Sequence, residues 1–350
     1  MLNFHQLARL SDHELERFDI LDIHLACAFL LPGSEKIDSA ACHKMVDVLL
    51  VQAKPYIENA AAKGKKVAPD DTEAKIRIRT MIDCAYRAAG IELTQTRIPD
   101  GRKGGLGDYF LHGALYGNGA TWATIPILYL TMGRRLGCPL KLVETWEPHR
   151  RHLFCRWDDP NGERFNIVVG SAGVGFPPDD YFRQLGLTAE AEKQGLFLKS
   201  KTPKEELATF LTVRAHLCHE LGRLRDSVDA FAWAAGLSPE NEFLMNTVKA
   251  RYGDWLDDIK KREPPGFPKV WVNVLQRRYP PALPLKMEMD IIDLEATDNM
   301  LRDPDSEKRF WRPLREGRAG RITTPSDLVV QSDPNQVNVT LLYPKGAQGV

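Results

Sequence analysis

The stretch from Gly117 to Asn166 restricts most what this chain can fold into. It opens on the glycine-rich GNGATW and continues as a mostly apolar run through Trp122, Ala123, Ile125, Ile127, Leu128, Leu130, Met132 and Leu136. Arg134, Arg135 and Gly137 close it. A basic last turn followed by glycine is a helix terminus, because cations oppose the partial negative charge of the last carbonyls and glycine takes the left-handed conformation that ends the helix. Two short segments follow, HLFCRW and ERFNIVV, separated by DDPNG. Asp, Pro, Asn and Gly are the residues of a reversing turn, so the segments read as two strands of a hairpin. The local plan is α+β: a buried helix packed on an antiparallel sheet, with helical segments on either side in the chain.

A helix of this kind can carry a nucleophilic cysteine in its first turn, where the helix dipole and a nearby imidazole both favour thiolate. His152 on one strand and Asn166 on the next are candidates for base and orienting residue. Side chains alternate along a strand, so the two share a face only if paired residue numbers sum to an even value. No cysteine stands at the helix start.

GATWATIPILYLTMGRRLGCPLKLV followed by HLFCRWDDPNGERFNI resembles the transglutaminase-like superfamily, in the bacterial branch that joins such a domain to tetratricopeptide repeats. The resemblance spans roughly residues 75 to 260. It implies a papain/transglutaminase-like fold in which active members carry Cys about fifteen residues before the glycine that ends the helix. Counted back from Gly137, that position is Trp122. The family's His and Asp/Asn positions fall on His152 and Asn166. Trp has no ionisable nucleophile, and its bulk would fill the acyl site.

Substitutes for the missing thiol are poor. Cys138 is at the far end of the same helix, roughly 24 Å away at about 1.5 Å per residue. Cys155, three residues after His152 on an extended segment, points to the opposite face. Thr121 and Thr124 stand near the helix start, but a hydroxyl needs a dedicated base. The expected function is therefore a catalytically degenerate binding or scaffolding module with a protein or peptide partner. The alternative is an active cysteine-protease-like hydrolase or acyltransferase, with an unidentified nucleophile and the His152/Asn166 pair. A third reading has His152 and Asn166 hydrogen-bonding within the sheet only.

Charge adds exclusions. Lys plus Arg and Asp plus Glu both number 47 among 350 residues, which gives no basic excess for nucleic acid or an anionic membrane. Six scattered cysteines without CxxC spacing read as free thiols of a reducing compartment. With no signal-peptide pattern at the N-terminus and no apolar run near ~20 residues, a cytoplasmic protein without a membrane span is expected. His112 and His149 lack a third ligand at recognisable spacing, so neither a metal nor a cofactor is expected. GRKGGLG departs from the phosphate-loop pattern and reads as a loop beside the cleft.

The expected organisation is an N-terminal helical region over 1–100 and a transglutaminase-like core over 101–200. Tetratricopeptide-like helices would follow over 201–262, and a Pro-rich, partly disordered extension over 263–350. Gly222, Ser227, Phe231, Ala234 and Pro239 carry the repeat spacing, in which small residues permit close helix approach.

Overall fold

The computed structural model describes residues 3–64, 68–89, 105–117, 120–121, 123–147, 150–170, 173–193, 197–264, 267, 270–274, 276–303, 305 and 339–342. Among the described residues these α-helices come first: α1 (Phe4–Leu7), α2 (Asp12–Leu15), α3 (Ile20–Ala26), α4 (Ser39–Lys63), α5 (Glu73–Ala89), α6 (Leu106–Tyr109), α7 (Leu111–Leu115) and α8 (Ile125–Arg135), with a short 3-10 turn at Ser34–Lys36 between α3 and α4. Strands β1 (Leu140–Glu147), β2 (Arg150–Asp158), β3 (Arg164–Gly170) and β4 (Gly173–Gly175) form one antiparallel sheet in that order. Helices α9 (Asp179–Gln184), α10 (Ala189–Lys193), α11 (Pro203–Glu220), α12 (Leu224–Leu237) and α13 (Glu242–Arg262) follow. Strand β5 (Trp271–Val274), helix α14 (Leu285–Arg302) and strand β6 (Val339–Leu342) complete the order. The chain divides into two compact units, 1–222 and 223–350, so α11 falls in the first and α12 in the second.

In the first unit the helix starts follow from local chemistry. Ser11 caps α2 in a reciprocal capping box with Glu14, and Thr202 does the same for α11 with Glu205. Proline usually interrupts a helix, but α4 runs through Pro55. Pro55 cannot donate to the carbonyl of Val51, and Val51 is 73% exposed, so water can take that bond.

The sheet is packed on both faces. Leu140, Leu142, Cys155 and Trp157 share the face that α8 covers. Leu140 stands opposite Trp157, Leu142 stands opposite Cys155, and the Cys155 thiol reaches the Pro126 carbonyl at 3.1 Å. A Cβ added to Gly133 of α8 would stand 2.2 Å from Leu140 Cδ1, so helix and strand meet at that glycine. Val143 and Phe154 occupy the other face, in a core cluster with Phe182 of α9, Leu187 and Leu198. Phe154 and Phe182 stack at 4.8 Å.

In the second unit α12 packs on α13, and Val272 of β5 packs on Ile292 and Ala296 of α14. The segment VNVTLLY, readable as an edge strand, supplies β6, which pairs antiparallel with β5 from Trp271↔Leu342 to Val274↔Val339. Of the extension expected to be partly disordered, residues 306–338 and 343–350 lie outside the described residues. Among the described residues no helix is long and apolar enough to cross a membrane.

Candidate functional site

Helix α8 starts at Ile125, with Thr124 as N-cap residue and Pro126 in its first turn. This start is later than the sequence suggests. Trp122 lies outside the described residues, as do His149 and residues 90–104 with most of GRKGGLG. The two threonines are consumed by backbone geometry. Thr121 Oγ1 donates to the Asp108 carbonyl at 2.7 Å, and Thr124 Oγ1 accepts from the Thr121 N–H at 2.9 Å. Thr124 is fully buried. Both hydroxyls fix the turn into α8, and among the described residues neither is hydrogen-bonded to an imidazole.

The β2–β3 register pairs Arg156 with Asn166 and Cys155 with Ile167, so paired numbers sum to an even value. His152, Phe154, Arg156 and Asn166 therefore share one face. That face is the one carrying Phe154 and Phe182, away from α8. Asn166 and His152 also stand four residues apart along the ladder, or about 13 Å at about 3.3 Å per residue. The sheet places the two residues on one face without bringing them into contact with each other.

Each has other surroundings. His152 is half-buried opposite Thr145, its ring stacked on Phe154 at 6.3 Å. Asn166 is buried, and its Oδ1 accepts from Arg156 Nε at 2.6 Å. Its Nδ2 donates to the Pro177 carbonyl at 3.0 Å and to Asp179 Oδ1 at 2.7 Å. Arg156, 1% exposed, also donates to the Leu198 carbonyl at 2.7 Å and to Asp179 at 2.6 Å. Burial pulls its guanidinium below the usual arginine range, while Asp179 pulls the other way. This Arg156–Asn166–Asp179 network ties β2, β3 and α9 together. HLFCRW already places Arg156 on the Phe154 side by alternation, but Asp179, twenty-three residues on, carries no signal in the sequence.

Five of the six thiols share one shift. Burial pushes Cys27 and Cys155 up to about 12 and also raises Cys42, Cys84 and Cys138. A reactive cysteine needs the opposite shift. His112 is buried beside the ring of Tyr116, and burial lowers its pKa. Among the described residues no group of three or more His, Cys, Asp or Glu could hold a metal ion.

No protein-family model, curated protein or solved structure matches this chain.

Proposed function

We propose that this chain is a catalytically degenerate transglutaminase-like protein that works by binding a protein or peptide partner, with no turnover of its own. The observation that carries the reading is the use of Asn166 as a structural amide. Its acceptor and both its donor contacts serve Arg156, Pro177 and Asp179, on the sheet face opposite α8. An orienting residue must instead hold an imidazole beside the nucleophile. Trp122 at the nucleophile position and the raised thiols of Cys27, Cys42, Cys84, Cys138 and Cys155 support the same reading. The helix-on-antiparallel-sheet plan and the paired helices α12 and α13 are compatible with the resemblance.

Iodoacetamide labelling of each cysteine against pH, read by mass spectrometry, tests this. All native thiols should label slowly at neutral pH and accelerate only above about pH 8.5. A native cysteine that labels rapidly near pH 6, and loses that reactivity in His152→Ala, would overturn the reading in favour of an active hydrolase or acyltransferase.

A further inference from the structure

Helix α4 carries apolar residues on two sides. Cys42, Val46, Leu49, Ala53 and Ile57 are buried and hold it to the first unit. Met45, Val48, Val51 and Tyr56 are between 37% and 73% exposed, and Pro55 is exposed beside them. At about 100° per residue these exposed positions fall within about 140° of one another, clear of the buried side. Gln52 and Asn59 complete the strip, and the charged residues between Met45 and Asn59 all lie outside it. A contiguous exposed apolar strip, unlike a single exposed side chain, marks a surface that another molecule covers.

The charges identify the occupant. Along the Val51 edge of the strip stand Lys44, Asp47, Lys54 and Glu58, alternating in sign. Lys44, Lys54 and Glu58 take no ion pair among the described residues, and Asp47 gives one carboxylate oxygen to Arg135 at 2.7 Å. In an antiparallel pair of helices related by a two-fold axis the same edge of each helix meets itself. Turned end for end about Val51, this row of charges is its own complement: Lys44 comes opposite Glu58, and Asp47 opposite Lys54. A parallel pairing would set each charge against its like, and a partner of one charge sign would oppose half of the row. A second copy of this chain fits all four.

We propose that α4 pairs with α4 of a second copy of this chain, antiparallel about a two-fold axis at Val51. Met45, Val48, Val51, Pro55 and Tyr56 form the seam, and Lys44 of each copy is set against Glu58 of the other. The overlap from Lys44 to Glu58 is about 21 Å long at about 1.5 Å per residue, and about one helix diameter, 10–12 Å, wide. That is well under the ~800 Å² per partner of a standard interface, so the dimer is reversible and forms with rising concentration. The pairing uses none of Trp122, His152 and Asn166, so it stands or falls apart from the loss of catalysis.

The test is sedimentation equilibrium of the full chain at low salt, from about 1 μM to several hundred micromolar. The average mass should rise from the 39.5 kDa of one chain toward twice that value. Val51→Glu, which places two like charges at the axis, should keep the chain monomeric throughout. Glu58→Lys sets lysine against Lys44 at both ends of the seam and should weaken association about tenfold. Adding Lys44→Glu to it reverses both partners and should restore the association of the wild type. All three positions are exposed, so melting temperatures should stay in place and report that each variant folds. A wild type that remains monomeric over the whole range overturns the proposal, as does a dimer that survives Val51→Glu. So does a double charge reversal that fails to recover what Glu58→Lys loses, because the antiparallel register requires that recovery.

Discussion

Asn166 stands directly across the β2–β3 ladder from Arg156 and accepts its Nε–H at 2.6 Å, inside the sheet face that α9 covers. The amide is matched to its place because it presents an acceptor to a buried cation and donors to Pro177 and Asp179 at once. Asn166→Ala should destabilise the chain by about 1–3 kcal/mol, the cost of leaving a buried donor unsatisfied. Asn166→Asp should be destabilised as well, since it trades the donor to Asp179 for a second carboxylate against it, and Asp179→Asn in the same chain should recover part of the loss. Urea midpoints decide the matter. An orienting role would instead let Asp substitute with stability unchanged.

How far the site was legible follows from which interactions are local. The helix, the hairpin turn and the even register are written in Arg134–Gly137, DDPNG and the strand alternation, all short-range signals. Which sheet face the helix takes is not local. It is decided by Gly133 meeting Leu140, Cys155 meeting Pro126 and Phe182 covering Phe154, contacts between elements whose individual patterns fit either arrangement. Helix α14 was hidden among the proline clusters, and its partner strands β5 and β6 lie far apart in sequence.

Two glycines should give contrasting responses to alanine. At Gly133 the new Cβ would meet the flexible end of Leu140 at 2.2 Å, and overpacking of this kind costs about 1–3 kcal/mol. Leu140→Ala removes the obstacle, so the double variant should be less destabilised than the sum of the singles, a coupling that a double-mutant cycle reads directly. At Gly113 the Cβ would stand 2.0 Å from the backbone oxygen of Gly107, which no rotamer change can clear. Gly113→Ala should therefore cost more than Gly133→Ala, with no side-chain substitution able to rescue it. Equal denaturation midpoints for the two variants would contradict this.

His24 makes stability depend on acid. It is fully enclosed between Phe110 and Phe210, and burial, with His112 adding to it, pushes its pKa down to about 3. An unfolded histidine titrates near about 6.5, so below that pH the unfolded chain binds a proton that the folded chain refuses. The stability is fully present above about pH 6.5 and falls as pH drops toward about 3, by up to about 1.4 kcal/mol per pH unit from this one group. His24→Leu gives up the weak contact from the Leu111 N–H, 3.4 Å from Nδ1, but should flatten the dependence between about pH 4 and 6. Unfolding free energies measured across that window would show an unchanged slope if the imidazole were charged in the folded chain.

The second unit rests on a buried cation. Arg278 pairs with Asp229 at 2.7 Å and with Glu295, while Arg225 also meets Glu295 and the Tyr279 hydroxyl donates to Asp229 at 2.9 Å. Burial opposes the charge on Arg278, but Asp229, Tyr279 and Glu295 outweigh it and hold its pKa above the usual arginine range. Arg278→Met should cost about 3–5 kcal/mol, because two enclosed carboxylates lose their common partner. Lysine keeps the charge but cannot span both acids with a planar fork, so Arg278→Lys should fall between wild type and Arg278→Met. Guanidinium chloride is unsuitable for the measurement because its salt screens the pairs being tested, so urea midpoints at low ionic strength are the proper comparison. If Lys and Met were equally destabilising, the geometry of the fork would be the contribution that matters, and if Lys matched wild type, only the charge would be.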